Sequence, residues 1–433
     1  MLQILGGSPV SGGGLTGDFW YVNQAPGNIL NNVQAPTGAD SIPLYDDFSV
    51  SIQGQNVSVY KMDMAVDGTG YPGGGVANAQ PCGIADFDVD GSVTATITVK
   101  NRTVSSCAVF PRRYGVTPTR DGNTITVPIP HPGKYILQIN GAQRNFLCLF
   151  ANPPLVVPTG NVIRYGPGIH KPGRVGLAAN TTVFIERGAV VYGSFSSFGD
   201  NARITGRGFL SKRLEPDSGS THMLQIGGRN VRVEGVYVVY GQPFVIRPTV
   251  CDGLTVDNVK VFSARANSDG CSVTSSSNCT IKNSYFANWD DGQTCKTDPG
   301  PPVDNLLVTD NLYMTASGWR LFGYGAEGGS EYRNAVYRRN DAVWTHCMNL
   351  LHTETPNNPY IHDILIEDLI IEDHHGHQQQ GLDRTTTFIR LGNDGGSTRH
   401  DRITFRNIRG YGIKPPSYLD GRCDMIRFEN IFW

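Results

Sequence analysis

A ladder of short, related segments runs through the second half of this chain and leaves few folds open to it. Each rung is a few alternating apolar residues, closed by Asn or Asp and a further apolar residue. The rungs are 231–236, 254–259, 280–284, 307–312, 364–369, 403–408 and 426–431. Their closing positions Gly235, Asn258, Asn283 and Asn311 recur at a nearly even spacing that widens slightly along the chain. Strand-type alternation repeated at that period predicts a solenoid of stacked coils, each burying its inward face against its neighbours. No helical heptad or long amphipathic run competes. The expectation is an all-β chain whose later part is a right-handed parallel β-helix.

The ladder gives meaning to two acidic clusters, Asn267-Ser268-Asp269-Gly270 and Trp289-Asp290-Asp291-Gly292. Singly, Asp-Gly and Asn-Ser read as turns. The separation of Asp269 from Asp290, however, is close to the length of one coil, so they fall at nearly the same angle on adjacent coils. Neighbouring strands lie about 4.8 Å apart. Asp269 is therefore expected beside Asp290 or Asp291 on one exposed face. Stacked carboxylates repel, and function is one reason to retain them. A glycosidase needs one carboxyl group held protonated and another ionised, and crowding separates their pKa values. Calcium is the other way to neutralise such a cluster. Lys296 nearby argues against a cation, so no metal and no cofactor are expected.

These residues resemble the clan of polygalacturonase-type glycoside hydrolases (family 28) and the dextranase and isopullulanase enzymes (family 49). Those families pair Asn-Thr-Asp-Gly with an Asp-Asp pair one coil later, often with a Lys shortly after it. Here the matching residues are Asn267 to Gly270, Asp290, Asp291 and Lys296. Gly206-Arg207-Gly208-Phe209-Leu210-Ser211 also resembles a turn of the family's early coils. The resemblance covers roughly residues 155–433. It implies a pectin-lyase-like solenoid and an inverting hydrolase, with Asp290 as general acid and Asp269 and Asp291 activating water. It departs from polygalacturonases in two places. The Gly-His-Gly segment is replaced by Ala316 to Gly323, and the Arg-x-Lys pair by Met348 to His352. Phe322-Gly323-Tyr324 resembles the Phe-Gly-Trp of dextranases instead, although Phe322 also reads as solenoid core. The substrate expected is therefore an α-linked, dextran-like or pullulan-like polysaccharide cut internally. Asn267, Lys296 and Arg320 are candidate contacts to it, with Trp289, Trp319 and Tyr324 as stacking surfaces.

The first third reads differently. Residues 1–17 are a tail. Residues 18–155 hold short alternating strands broken by Gly and Pro, which suggests an antiparallel β-sandwich ahead of the helix at 156–433. Family 49 enzymes carry such a domain. Asp121-Gly122-Asn123 suits a hairpin turn.

Composition narrows the partners. With 52 glycines in 433 residues the chain suits a turn-rich β protein. A net charge of −2 gives no attraction for nucleic acid or an anionic membrane. The N-terminal stretch from Met1 to Val10 lacks a basic n-region and a long apolar run, so it does not read as a signal peptide. A polysaccharide partner still implies an extracellular setting, secreted or on a virion. A monomer is expected, or a homotrimer if the chain is a phage fibre. The nine cysteines include no CxxC, and Cys271 and Cys295 are placed to stack on adjacent coils. Asp373-His374-His375-Gly376-His377 reads as a loop inserted between coils, with metal binding as its other reading. Asp383, Arg384, Asn393 and Asp394 are further candidates for lining a cleft there. Three other functions remain open: a phage tail-type capsular polysaccharide depolymerase, a polysaccharide-binding fibre without turnover, and a lyase.

Overall fold

The computed structural model describes residues 27–30, 36, 38–65, 79–196, 198–215, 221–297, 300–314, 320–344, 349–354, 359–372, 389–391, 398–411, 418–419 and 422–432. Among them, one short 3-10 turn, Arg112–Tyr114, interrupts an otherwise all-strand architecture.

Residues 162–432 form one 28-stranded parallel sheet that winds into a β-helix. From Arg203 to Glu367 each strand pairs with the third strand after it, so a coil has three faces; beyond that, two strands merge into Arg399–Tyr411 and the step shortens. The first face carries Arg203–Gly206, Arg232–Glu234, Thr255–Asp257 and Ser277–Lys282. The second carries Tyr237–Val239, Lys260–Ser263 and Tyr285–Asn288. The third carries Ile246–Asp252, Cys271–Thr274, Gln293–Thr297 and Arg320–Gly328. The register follows the ladder read from the sequence. Arg232 faces Thr255, Thr280 faces Leu307, and Leu307 faces Val336, so each coil returns to the same face one rung later. Leu365 faces Thr404, a much longer step, so the extra length sits between coils. The His374–His377 segment and Asp383, Arg384, Asn393 and Asp394 lie in that step, outside the described residues.

The closing Asn or Asp of each rung has a stereochemical cause. Gly235, Asn258, Asn283, Asp310, Asp368, Asn407 and Asn430 all have φ between 48° and 77°. This left-handed region turns the chain from the first face to the second. Gly and, among residues with a Cβ, Asn and Asp adopt it at least cost. Behind it, Val233, Val256, Ile281, Val308, Tyr337, Ile366 and Phe405 stand in one interior stack, all essentially dry.

The N-terminal part is two sheets. One has six strands, including Ala79–Val89, Gly133–Ile139 and Leu147–Asn152; the other has five, including Phe48–Ile52, Val93–Val99 and Thr124–Ile129. Val50, Ile97 and Val127 from the smaller sheet share a core with Phe87, Leu137 and Leu149 from the larger. Val93–Val99 shows the period-2 logic: its four apolar residues are buried and its three Thr residues exposed. Pairing departs from the antiparallel expectation in one place, where Leu147–Asn152 runs parallel to Ala79–Val89. The outer face of the larger sheet does not meet water. Ile84, Ile136, Cys148 and Phe150 pack on Tyr237, Phe262 and Tyr285 of the helix's second face. At the edge of this contact Arg187 pairs with Asp86 and, at 2.8 Å, with Asp88, while Arg207 reaches Asp88 at 2.7 Å.

Cys271 does not stack on Cys295. It faces Gln293, and Cys295 faces Val273. All the described cysteines are free thiols.

Candidate active site

The two acidic turns join the second face to the third. Cys271 faces Gln293, and the Gly270 amide donates to the Asp291 carbonyl at 2.8 Å, so Asp269 and Asp291 share one level of adjacent coils. Gly270 is required there, since a Cβ would lie 2.6 Å from the Gly292 oxygen. Asn288 holds the second turn through its side-chain amide, which donates to the carbonyls of Asp290 and Asp291 at 2.8 and 2.7 Å. Each of Asp269, Asp290 and Asp291 offers a carboxylate oxygen within 4.8 Å of the other two.

The expectation of an exposed face is not met. Asp269 and Asp291 are 2% exposed and Asp290 is 8% exposed. That burial is chemically decisive. It pushes the Asp290 carboxyl well above the usual carboxylate range, and repulsion from Asp269 and Asp291 adds to it; Lys296 and Arg320 pull the other way. The flanking acids each have a cation. Lys296 Nζ lies 3.3 Å from Asp269 Oδ2, and Arg320 Nε lies 3.1 Å from Asp291 Oδ2. The Ser272 hydroxyl also donates to Asp269 at 2.8 Å, and the Asp291 amide donates to Asp290 Oδ1 at 2.9 Å. The site therefore combines one carboxyl biased toward the protonated form with two carboxylates compensated by fixed positive charge. Three carboxylates are a donor set that a hard cation accepts. Here Lys296 and Arg320 already supply the positive charge.

The proposed substrate contacts divide. Lys296 and Arg320 join the acids. Asn267 is exposed at the rim, in the left-handed conformation, and its carbonyl accepts from the Phe244 amide at 2.8 Å. Trp289 is 2% exposed, packed beneath the turn with its amide donating to the Ser268 hydroxyl. It offers no ring face to a sugar. Tyr324 is further from the expectation: it points into the solenoid core, edge-on to Tyr332 with centroids 5.4 Å apart. Strand alternation explains the inversion, because the interior of a wide coil accepts large aromatics as readily as Val or Leu. Phe322 is core as well. Trp319 lies outside the described residues.

Three neighbours were not anticipated. Ile246 faces Cys271 and Leu224 faces Ile246, which brings Phe244 and His222 to the level of Asp269, one and two coils earlier. The Phe244 ring lies 4.0 Å from Lys296 Nζ. His222 stacks on Phe244 at 5.3 Å with a 13° tilt. Arg247 Nη1 lies 2.9 Å from His222 Nε2, and Pro243 O lies 2.6 Å from Nδ1. Arg can only donate, so Nε2 accepts and Nδ1–H donates to the carbonyl: a neutral imidazole. Burial lowers the pKa of His222 in the same sense. The signal was available: counting back from Asp269 by one coil reaches Phe244, and by a second reaches His222.

Neither a protein-family model nor a curated protein sequence matches the chain. Solved structures do. Dex49A from Penicillium minioluteum superposes with a TM-score of 0.52 at 13% identity, covering 88% of this chain and 91% of that one. The family 28 exopolygalacturonase of Yersinia enterocolitica gives 0.46 at 11% identity, covering 78% and 94%. Polygalacturonases of Erwinia carotovora and Stereum purpureum are also similar, at 14% and 15% identity. In its fold the chain resembles the clan of family 28 polygalacturonases and family 49 dextranases.

Proposed function

We propose that the protein is an inverting, endo-acting glycoside hydrolase of α-linked polysaccharide, dextran-like or pullulan-like, working outside the cell. One observation carries the reading: a buried carboxyl with a raised pKa, Asp290, sits between two carboxylates that are each paired with a fixed cation. Asp290 gives its proton to the glycosidic oxygen as the bond to the anomeric carbon breaks. Asp269 and Asp291 orient a water and take its proton as it attacks. Residues 18–155 are read as the accompanying β-sandwich domain.

The cations favour a neutral substrate. A sugar carboxylate buried in the cleft needs a fixed positive partner. Lys296 and Arg320 are engaged by the catalytic acids, and Arg247 is held by His222. The same pairing disfavours a lyase, whose base has to be an uncharged Lys or Arg. Stereochemistry is where the geometry and the resemblance diverge. Oxygens within 4.8 Å are closer than the roughly 6.5–9.5 Å of most inverting sites. Inversion is proposed on the resemblance: it requires the water held by Asp269 and Asp291 to attack the anomeric carbon on the face opposite the oxygen that Asp290 protonates. Product analysis on dextran, pullulan, polygalacturonate and bacterial capsules, with and without EDTA, tests the reading. Glucan hydrolysis unaffected by EDTA supports it; preference for polygalacturonate, or an unsaturated product, overturns it. Proton NMR of the first anomer released decides between inversion and retention.

A further inference from the structure

A cavity of about 370 Å³ opens on the opposite edge of the second face from the catalytic acids. Its volume falls within the roughly 300–1,000 Å³ of small-molecule sites. One wall is the N-terminal pair of sheets, with Tyr114, Pro132 and Lys134; the other is the first-to-second turn of successive coils, with Asp257, Asn258 and Asn283. Pro153 and Pro154 close it. None of the three catalytic acids lines it.

Lys134 is the unusual member. It is 6% exposed, yet among the described residues its Nζ reaches one oxygen, the Asp310 carbonyl, at 3.5 Å. A buried ammonium normally has several close acceptors. The nearby carboxylates are engaged elsewhere: Asp310 with Arg339, Asp341 with Arg113, and Asp257 with Lys282. The two asparagine amides are engaged, Asn258 donating to buried Asn152 and Asn283 to Asp257, and among the described residues neither side-chain carbonyl accepts a hydrogen bond from the protein. The cavity thus presents a donor and two acceptors that lack close partners, walled by Tyr114 and three prolines.

We propose that this cavity is a second carbohydrate site, taking a neutral sugar unit of a polysaccharide away from the catalytic cleft. Hydroxyl groups both donate and accept, which suits an ammonium facing two carboxamide oxygens; the ring's apolar face suits Tyr114 and the prolines. An anion suits it less, because Asp257, Asp310 and Asp341 surround Lys134 and the two arginines of the lining, Arg203 and Arg207, are paired with Glu234 and Asp88. Burial pushes the Lys134 pKa down to about 8, as expected of an amine short of acceptors. The choice of glucan as probe rests on the proposed function; the site itself does not.

The test is calorimetric titration with isomalto- and malto-oligosaccharides of an Asp290→Asn protein, which binds without cleaving. Two classes of site are expected. Lys134→Met and Asn283→Ala, each added to that background, should weaken one class by about tenfold or more. Lys134→Met alone should turn over short oligosaccharides normally. Lys134→Met removes an under-partnered buried charge and Asn283 lies at the surface, so folding is protected in two ways. An isotherm unchanged by both substitutions overturns the proposal, as does capture of galacturonate or inorganic phosphate in place of neutral sugars, or no sugar binding. Lys134-dependent binding that persists when the catalytic cleft takes no glucan would sink the proposed substrate and leave this site standing.

Discussion

Asp290 concentrates the chemistry into one side chain, and two consequences oppose each other. Under the proposed function, Asp290→Asn removes the proton donor and should lower kcat by at least ~10²-fold. The same change should stabilise the fold at neutral pH. Folded Asp290 keeps its proton to higher pH than the unfolded chain does. Its contribution to stability is therefore fully present below the ordinary carboxyl range and is lost as pH rises through the raised folded value. The variant should melt higher than the parent at pH 7, with the gap closing in acid; a lower Tm at pH 7 would refute the burial account. Activity should decline over that same upward interval as the acid ionises. Lys296→Met is the converse case. It leaves Asp269 buried beside other carboxylates and should cost about 3–5 kcal/mol in urea unfolding, the scale for breaking a buried pair. That the three acids lie together was legible from the coil spacing, and Lys296 from the resemblance; their burial was not. Trp289 and Tyr324 were misjudged because which way a side chain faces depends on local alternation near a turn, which residue type does not report.

Single coils show why the ladder could be read at all. The Asn and Asp residues that turn each rung are there for their backbone conformation, and at two rungs the residue after the turn, Asn311 or Asn340, replaces backbone pairing. Asn311 is 1% exposed; its side-chain oxygen accepts from the Ser284 amide at 2.8 Å and its amide donates to Ile281 O at 3.0 Å. Asn340 repeats the arrangement one coil later, accepting from the Asn311 amide. Asn311→Ala should leave buried groups unpaired and cost about 1–3 kcal/mol, read from a shifted urea midpoint at unchanged m. A shift within error would show that the ladder is dispensable. Arg339 breaks the pattern, a long side chain at φ 50° in a position otherwise held by Gly, Asn and Asp. Its ion pair with Asp310 at 2.7 Å offsets the strain. That rung escaped sequence reading for this reason: the residue that makes the turn is one no turn rule would select.

At the scale of the molecule, the N-terminal sheets and the helix are joined by an apolar face and an ionic cluster. Burial pushes the Asp86 carboxyl up, and Arg187, Lys260 and Arg207 more than reverse it, leaving it below its ordinary range. Asp88 holds both Arg187 and Arg207. Asp88→Ala should leave buried Arg207 without a carboxylate and Arg187 with Asp86 alone, and cost about 3–5 kcal/mol, with the 153–161 connection becoming the first site of proteolytic nicking. Resistance there equal to the parent's would count against the cluster as the clasp. The strands on either side of this contact were legible from alternation, but their mutual packing was not: it needs Leu147–Asn152 buried on both faces, a continuous apolar run that does not reveal what covers each side. The coils themselves behave like the scale of a vernier. His222, Phe244, Asp269, Asp291 and Arg320 come from five successive turns of the solenoid and meet because those turns are aligned. A residue inserted within a strand of that stretch would rotate every later partner away, whereas length added between strands, as in the step from Leu365 to Thr404, leaves the scale true. Loops facing the cleft are thus free to diverge and change what the cleft holds, while the three acids and their cations stay locked to the pitch of the helix.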